Sequence, residues 1–112
     1  MQNTMILITT DSLGKGDREL GDRLMANYFR LLSQANMVPR IVFLIHKGVY
    51  LATAQSTVAE HMAVLQRRGV DIISCQTCVD YYNIKSEIQV GLVSGMTDLL
   101  ELMATNKVIT LA

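Results

Sequence analysis

The chain has 112 residues, 50% of them hydrophobic, and its ten basic and ten acidic side chains cancel at pH 7. A chain of this length can form one domain and fold without a metal ion or a disulfide, so we expect a single domain over residues 1–112. Because there is no basic field, nucleic acid and anionic membranes are disfavoured as partners. The sequence shows neither a membrane-length apolar run nor a signal peptide, which predicts a cytoplasmic protein.

The first predicted strand, Met5–Ile8, is a continuous apolar run of the kind found in strands covered on both faces. A polar loop with two glycines, Asp11–Asp17, follows it. Helical spacing then predicts a helix over Asp17–Ala35, with an apolar arc wider than one sheet contact requires. The arc consists of Leu20, Gly21, Leu24, Met25, Tyr28, Phe29, Leu31, Leu32 and Ala35. We expect part of it to face another subunit, and the alternative is that Tyr28 and Phe29 cover the helix edge within one chain.

The second predicted strand, Arg40–Ile45, ends at His46, which puts a titratable side chain at a strand end. A helix follows, and the spacing of Thr57 and Glu60 matches a capping box at its start. Gly69 lies where a C-terminal cap is expected. The next element should then be a strand.

The remaining predicted strands are Val70–Ile73, Ile88–Val93 and Lys107–Leu111. A helix is expected before the last of them, with four residues turned inward: Met96, Leu99, Leu100 and Met103. Strands and helices thus alternate along the whole chain, and each connection is long enough for a crossover. The predicted fold is α/β, a three-layer α/β/α sandwich with a parallel five-stranded sheet.

Both cysteines lie where the third predicted strand ends, in the sequence Ser74-Cys75-Gln76-Thr77-Cys78. In open α/β sheets the carboxyl ends of the strands border the crevice where ligands bind. If the next residues are helical, the two sulfurs lie one turn apart, near free backbone N–H groups that lower a thiol pKa. We therefore expect two accessible thiols that mild oxidation joins in a disulfide, with Cys75 the more reactive.

The cysteine pair permits four interpretations. A zinc site would need His46 and His61 as further ligands, and their order and spacing fit no common zinc finger. A thioredoxin-type oxidoreductase would carry a proline opposite the site, whereas the single Pro39 precedes a different strand. The two residues could be buried core cysteines, since free cysteine is among the most buried residue types. The fourth interpretation is nucleophilic sulfur chemistry.

The glycine loop after the first strand suggests phosphate binding, but it lacks the Ser or Thr that follows the lysine of a Walker A motif. We expect it instead to form the rim of the crevice, with Asp11, Ser12 and Lys15 near the cysteines if the first and third strands lie close. These three residues and His46 are the candidate substrate-binding residues. No cofactor and no metal ion is expected.

Two segments, Ile8–Gly21 and Ser74–Tyr82 with its double tyrosine, resemble the DsrE-like sulfur-relay superfamily. The resemblance runs from about Met5 to Leu111, and the nearest match is the carboxyl-terminal domain of the selenium-metabolism protein YedF. It implies a persulfide on Cys75, with Cys78 as a resolving or second carrier cysteine, and a TusA-like sulfur-carrier protein as partner.

The sequence therefore predicts a sulfur or selenium transfer protein of sulfurtransferase type, assembled as a homo-oligomer, a trimer or larger. The rival hypothesis is a non-catalytic oligomeric module that binds a small anion or metabolite and whose cysteines are incidental.

Overall fold

The computed structural model describes residues 3–112. Within that range five strands form one sheet in the order β4-β3-β2-β1-β5, and all its pairings are parallel. The strands are β1 (Thr4–Ile8), β2 (Ile41–Leu44), β3 (Asp71–Cys75), β4 (Leu92–Ser94) and β5 (Lys107–Leu111). The predicted α/β fold with a parallel five-stranded sheet is confirmed.

Four α-helices connect the strands: α1 (Arg18–Gln34), α2 (Ala59–Arg67), α3 (Gln76–Tyr82) and α4 (Met96–Thr105). The chain steps across the sheet in one direction from β1 to β4 and returns past all of them to β5. Because parallel crossovers are right-handed, α1, α2 and α3 cover one face of the sheet and α4 crosses the other. The three layers of the predicted sandwich follow from this order.

The core lies between the sheet and α1, α2 and α3. All four residues of β2 are at most 1% exposed, as expected of a central strand rich in Ile, Val, Phe and Leu. Helix α1 begins after Asp17, whose carboxylate accepts a hydrogen bond from the Leu20 N–H at 3.3 Å. It packs Met25 and Phe29 against the sheet, both at most 1% exposed. The prediction of a helix over 17–35 is therefore confirmed.

The outer part of the wide arc on α1 is exposed. Leu20, Leu24 and Leu31, here named the leucine row, are 54%, 45% and 56% exposed. On α4 the inward prediction is wrong for three of four residues, since only Leu99 is buried. Exposed there are Met96, Leu100 and Met103, here named the α4 row. One helix lies across a five-stranded face, so one turn-to-turn stripe suffices to hold it.

Two local predictions fail, and one element was missed. The predicted strand Ile88–Val93 starts too early, because β4 covers only Leu92–Ser94. The capping box at Thr57 and Glu60 does not form, because α2 begins after Val58 and no side chain caps it. The chain after β2 forms a 3-10 helix, His46–Ala52, that the sequence analysis did not predict. It passes so close to the end of β1 that a Cβ at Gly48 would lie 2.5 Å from the Ile8 carbonyl oxygen. Glycine is therefore required there.

Candidate functional site

Three strand ends supply the side chains of the candidate site. The sheet is parallel, so the residues that follow β1, β2 and β3 all lie at its carboxyl edge. Asp11 follows β1, His46 follows β2, and Cys75 is the last residue of β3. Strand β2 lies between β1 and β3, so His46, rather than Asp11, is the strand-end neighbour of the cysteines.

Cys75 is buried. Its side chain is 0% exposed, because β3 continues through Ser74 to Cys75 and pairs there with Ser94 of β4, while α3 folds over the strand end. The expectation that Cys75 is an accessible thiol is therefore wrong. A donor molecule cannot reach this sulfur without local opening of the fold.

Cys78 is the accessible thiol of the pair. It lies in the first turn of α3, is partly exposed, and lines a cavity of about 500 Å³. The backbone N–H of His46 donates a hydrogen bond to its Sγ at 3.0 Å. A sulfur anion at this position would thus have one fixed donor on the protein side and open space on the other.

The surroundings of Cys78 raise the pKa of its thiol. Burial raises its pKa, the His46 N–H lowers it, and the neighbouring Cys75 thiol raises it further. The net direction is upward, opposite to the lowered pKa that the sequence suggested. The N–H of His46 therefore limits an unfavourable shift rather than creating a preformed thiolate.

The backbone of His46 adopts a left-handed conformation, with φ 54°. A side chain with a Cβ reaches this region only at a cost of about 1–2 kcal/mol. The residue turns the chain out of β2 and begins the 3-10 helix, while its N–H points at Cys78. The strain thus occurs at the residue that supplies the hydrogen bond to the thiol.

Aromatic side chains form the rest of the cavity. His46, Tyr81 and Tyr82 line it together with Thr77 and Cys78. The Tyr82 ring centroid lies 5.2 Å from that of Tyr81 and 6.4 Å from that of His46. Among residues 3–112, no Asp, Glu, Lys or Arg lines this cavity, so its recognition chemistry is that of aromatic rings, three hydroxyls and a thiol.

A second cavity, of about 260 Å³, lies beside the first. Asp11, Arg18 and Asp22 line it, and Arg18 bonds both carboxylates, at 2.7 Å to Asp11 and 3.4 Å to Asp22. The other carboxylate oxygen of Asp11 is buried with no hydrogen-bond partner. Tyr50 also lines this cavity, and its ring centroid lies 5.0 Å from that of Tyr82. The contact between these two tyrosine rings, tilted at 51° to one another, thus lies between the cavities.

The candidate substrate-binding residues separate into groups. His46 lies beside Cys78, as expected, whereas Asp11 belongs to the second cavity. Ser12 is buried and donates its hydroxyl to the Arg18 carbonyl oxygen at 3.2 Å, which holds the loop to α1. Lys15 is exposed and lines neither cavity. The rim loop therefore does not reach the cysteines.

Sequence reasoning missed the aromatic wall. Tyr81 and Tyr82 were part of the motif that carried the resemblance, but they were given no role. Their place on the same short helix as Cys78, six and seven residues past the end of β3, could have indicated that they lie near the thiol. Tyr50 gave no such signal, because its place depends on the unpredicted 3-10 helix.

Within residues 3–112, no three His, Cys, Asp or Glu side chains come together as a metal ion would require. In the same part of the chain, no helix has both the length and the apolar character that crossing a bilayer demands.

The fold and the site together define the class of this protein: a parallel α/β domain with a thiol-lined cavity at the strand ends. The chain belongs to the DsrE/DsrF-like family, whose model matches residues 15–111. A search of curated proteins found no match.

Solved structures with the same fold cover nearly the whole chain. The YchN protein of E. coli is 18% identical, with 98% of this chain and 99% of that chain aligned at a TM-score of 0.68. MTH1491 of Methanobacterium thermoautotrophicum, a protein of unknown function, is 17% identical, with 96% of each chain aligned at 0.68. BT1422 of Bacteroides thetaiotaomicron is 18% identical, with 96% and 94% aligned at 0.66. At these identities the likeness concerns the fold.

Proposed function

We propose that this protein is a sulfur carrier of sulfurtransferase type and that Cys78 holds the sulfur as a persulfide. The observation that carries the proposal is the environment of the Cys78 Sγ, which meets an open cavity on one side and the His46 N–H on the other. Membership of the DsrE/DsrF-like family supports sulfur-relay chemistry. Burial of Cys75 argues against the role that the resemblance implied for it.

Loading is a displacement at sulfur. The Cys78 thiolate attacks the outer sulfur of a donor persulfide, R–S–S⁻; a new S–S bond forms on Cys78, and the donor leaves as its thiolate, R–S⁻. The thiol must first lose its proton, which the raised pKa makes the demanding part of the step. The His46 N–H stabilises the resulting anion through a charge-assisted hydrogen bond.

Unloading runs in the opposite sense. An acceptor thiolate attacks the outer sulfur, and Cys78 leaves as a thiolate that again accepts the His46 N–H bond. The cavity has room for the outer sulfur and for the end of an incoming side chain. Because no charged side chain lines it, the cavity offers no ion pair to a small polar donor, so we favour a persulfide presented by another protein, such as a TusA-like carrier.

Selenium is the alternative cargo, since the Cys78 thiolate could attack the terminal selenium of a donor R–S–Se⁻ in the same way, forming Cys78–S–Se⁻ and releasing the donor as R–S⁻. The resemblance to the YedF domain is the reason to consider selenium as the cargo.

The proposal also includes a cytoplasmic location, where a reducing environment keeps thiols available.

Association is proposed on separate grounds. The leucine row and the α4 row expose six large apolar side chains on two helices, and such rows mark contact surfaces in many proteins. We propose that they bury against copies of the same chain in a trimer or larger assembly. Sedimentation as a monomer at micromolar concentration would refute this, and Leu24→Glu should weaken the assembly if the leucine row forms the contact.

The rival function, a module for a small anion, fits the second cavity poorly. Among the described residues that line it, Arg18 is the one cation, and it is already bonded to Asp11 and Asp22. The second Asp11 oxygen accepts hydrogen bonds rather than donating them. An anion entering this cavity would meet net negative charge.

The test is sulfur uptake, followed by mass spectrometry. Inorganic polysulfide, or a cysteine desulfurase with cysteine, is offered to the wild type and to Cys75→Ser and Cys78→Ser. Both cysteines lie between Arg68 and Lys85 and share one tryptic peptide, so the single variants, not the peptide, assign the site. Immediately after loading, we expect a gain of one sulfur atom in the wild type and in Cys75→Ser, and none in Cys78→Ser. Uptake by Cys78→Ser alone would transfer the role to Cys75, and a desulfurase supplied with selenocysteine in place of cysteine tests the cargo.

A further inference from the structure

Cys75 takes no part in the loading and unloading steps, although it is a nucleophile beside the carrier thiol. It is the last residue of β3 and the N-cap of α3, and Cys78 comes three residues later in the first turn. Side chains at this spacing are neighbours on a helix. Backbones so placed bring the two Cα atoms within the roughly 4.4–6.8 Å that a disulfide requires.

The two cysteines differ in exposure. The first cysteine is 0% exposed, whereas the second is partly exposed and lines the cavity. On a loaded Cys78 the outer sulfur extends into the open cavity, and Cys75 lies on the inner side. Displacement at sulfur proceeds in line, so the buried thiol can reach the inner sulfur with the outer one as the leaving group. An external acceptor, entering through the cavity, meets the outer sulfur instead.

We propose that Cys75 discharges the carrier, a second activity that rests on the function proposed above. The Cys75 thiol attacks the Cys78 Sγ of Cys78–S–S⁻; the Cys75–Cys78 bond forms, the bond to the outer sulfur breaks, and the Cys75 proton leaves with that sulfur as HS⁻. The persulfide is the oxidant: its outer sulfur is reduced to hydrosulfide while the two thiol sulfurs become a disulfide. A dithiol reductant then restores both thiols.

This activity sets a limit on the lifetime of the cargo. Transfer to an acceptor must be faster than attack by Cys75, or the sulfur is lost as hydrosulfide. Because Cys75 is buried, small thiols from solvent cannot reach its sulfur. Cys75 therefore reacts only with the neighbouring sulfur of Cys78. The chain therefore holds sulfur transiently unless Cys75 is removed.

The experiment loads the wild type, Cys75→Ala and Cys75→Ser with inorganic polysulfide, removes the excess by gel filtration without thiols, and follows each chain with time. We expect the wild type to lose the added sulfur completely, release hydrosulfide in equal amount, and gain the Cys75–Cys78 disulfide. Both variants should keep the persulfide. Because Cys75 is buried, a single substitution could disturb local packing, and the use of two different substitutions controls for this. Disulfide mapping of the wild type is a further control that needs no variant.

The outcomes separate the two proposals. If the wild type takes up sulfur, keeps its persulfide as long as Cys75→Ala does and forms no disulfide, the discharge step alone is overturned. Equal hydrosulfide release from both variants also overturns it, because the attacking thiol would then not be Cys75. Failure of every chain to take up sulfur overturns the carrier function and the discharge with it.

Discussion

Two cavities lie side by side at the carboxyl edge of the sheet and differ in their chemistry. The larger, about 500 Å³, presents aromatic rings and the Cys78 thiol, whereas the smaller, about 260 Å³, presents carboxylates, hydroxyls and Arg18. The Tyr50 and Tyr82 rings, 5.0 Å apart, divide them. Both are built from residues that follow strands of the same parallel sheet.

The difference shows where reactivity comes from at this edge. In the smaller cavity the strongest charges neutralise one another, because Arg18 bonds two carboxylates. In the larger one the thiol has a single backbone donor, no charged side chain lines the wall, and the sulfur is reachable. A single polar group free of competing partners is better placed to react than a group inside an ion-paired cluster.

A carboxylate added to each cavity gives the largest expected contrast. Thr77→Glu puts a negative charge beside Cys78 and raises the pKa of its thiol further, so sulfur uptake and alkylation should slow roughly tenfold. Thr57→Glu, at an exposed threonine of the smaller cavity, is the matched control and should leave both rates unchanged. Equal slowing by the two substitutions would mean that the tyrosines do not separate the sites.

The pH dependence of alkylation tests the thiol itself. Burial raises the pKa of Cys78, so its alkylation rate should keep rising about tenfold per pH unit beyond the range of a free thiol, near 8.5. Cys75→Ser removes a group that raises this pKa, and the profile should shift to lower pH. The linked stability has a definite sign: it is present below the unfolded thiol pKa and lost as the pH rises through the folded one. A profile that levels off below pH 8 contradicts the assignment.

Removal of the dividing ring should affect stability. Tyr82 contacts the rings of Tyr50, Tyr81 and His46, and such pairs contribute about 0.5–1.5 kcal/mol each. Tyr82→Ala should therefore lower the free energy of unfolding by about 2 kcal/mol, measured by denaturant titration, and merge the cavities. Tyr82→Phe keeps the ring and should be close to wild type. A destabilised Phe variant would show that the hydroxyl, and not the ring, is what matters.

At His46 the backbone and the imidazole can be separated. His46→Gly and His46→Ala both lose the imidazole that contacts Tyr82, but only glycine relieves the left-handed strain, so the Gly variant should exceed the Ala variant in free energy of unfolding by about 1 kcal/mol. Both substitutions keep the N–H that bonds Cys78, so sulfur uptake should persist in both. Loss of uptake in the two variants alike would assign the role to the imidazole.

The smallest effect is expected from Arg18→Gln. Its side chain is 59% exposed, and exposed ion pairs contribute about 0.2–1 kcal/mol. Thermal unfolding should shift little, and sulfur uptake should equal that of the wild type because the larger cavity is untouched. A clear fall in uptake would show that the two cavities act as one site.

The sequence predicted the sheet well, because its strands are apolar runs that admit few other readings. Met5–Ile8 and Lys107–Leu111 were placed within one residue at each end. Prediction failed where tertiary context decides. Periodicity identified the apolar positions of α4 but could not show that a single helix crosses a whole sheet face, leaving Leu100 65% exposed.

The site was predicted in its position and not in its exposure. That Cys75 follows an apolar strand located it at a strand end, but only the pairing with β4 and the fold of α3 bury it. His46 was predicted as a site residue because of its titratable side chain, whereas in the structure its backbone N–H bonds the Cys78 thiol. Asp11 was assigned to the cysteines on the assumption that β1 and β3 are close, which the position of β2 between them excludes.

The leucine row on α1 and the α4 row lie on opposite faces of the sheet, so the association proposed above would give the chain two separate contact surfaces. Two self-complementary contacts with separate two-fold axes lead either to a closed dihedral assembly, if the axes intersect at a suitable angle, or to an open array. One self-complementary contact would stop at a dimer. In the proposed assembly, the return of α4 across the far side of the sheet would therefore set how many neighbours a single copy can hold.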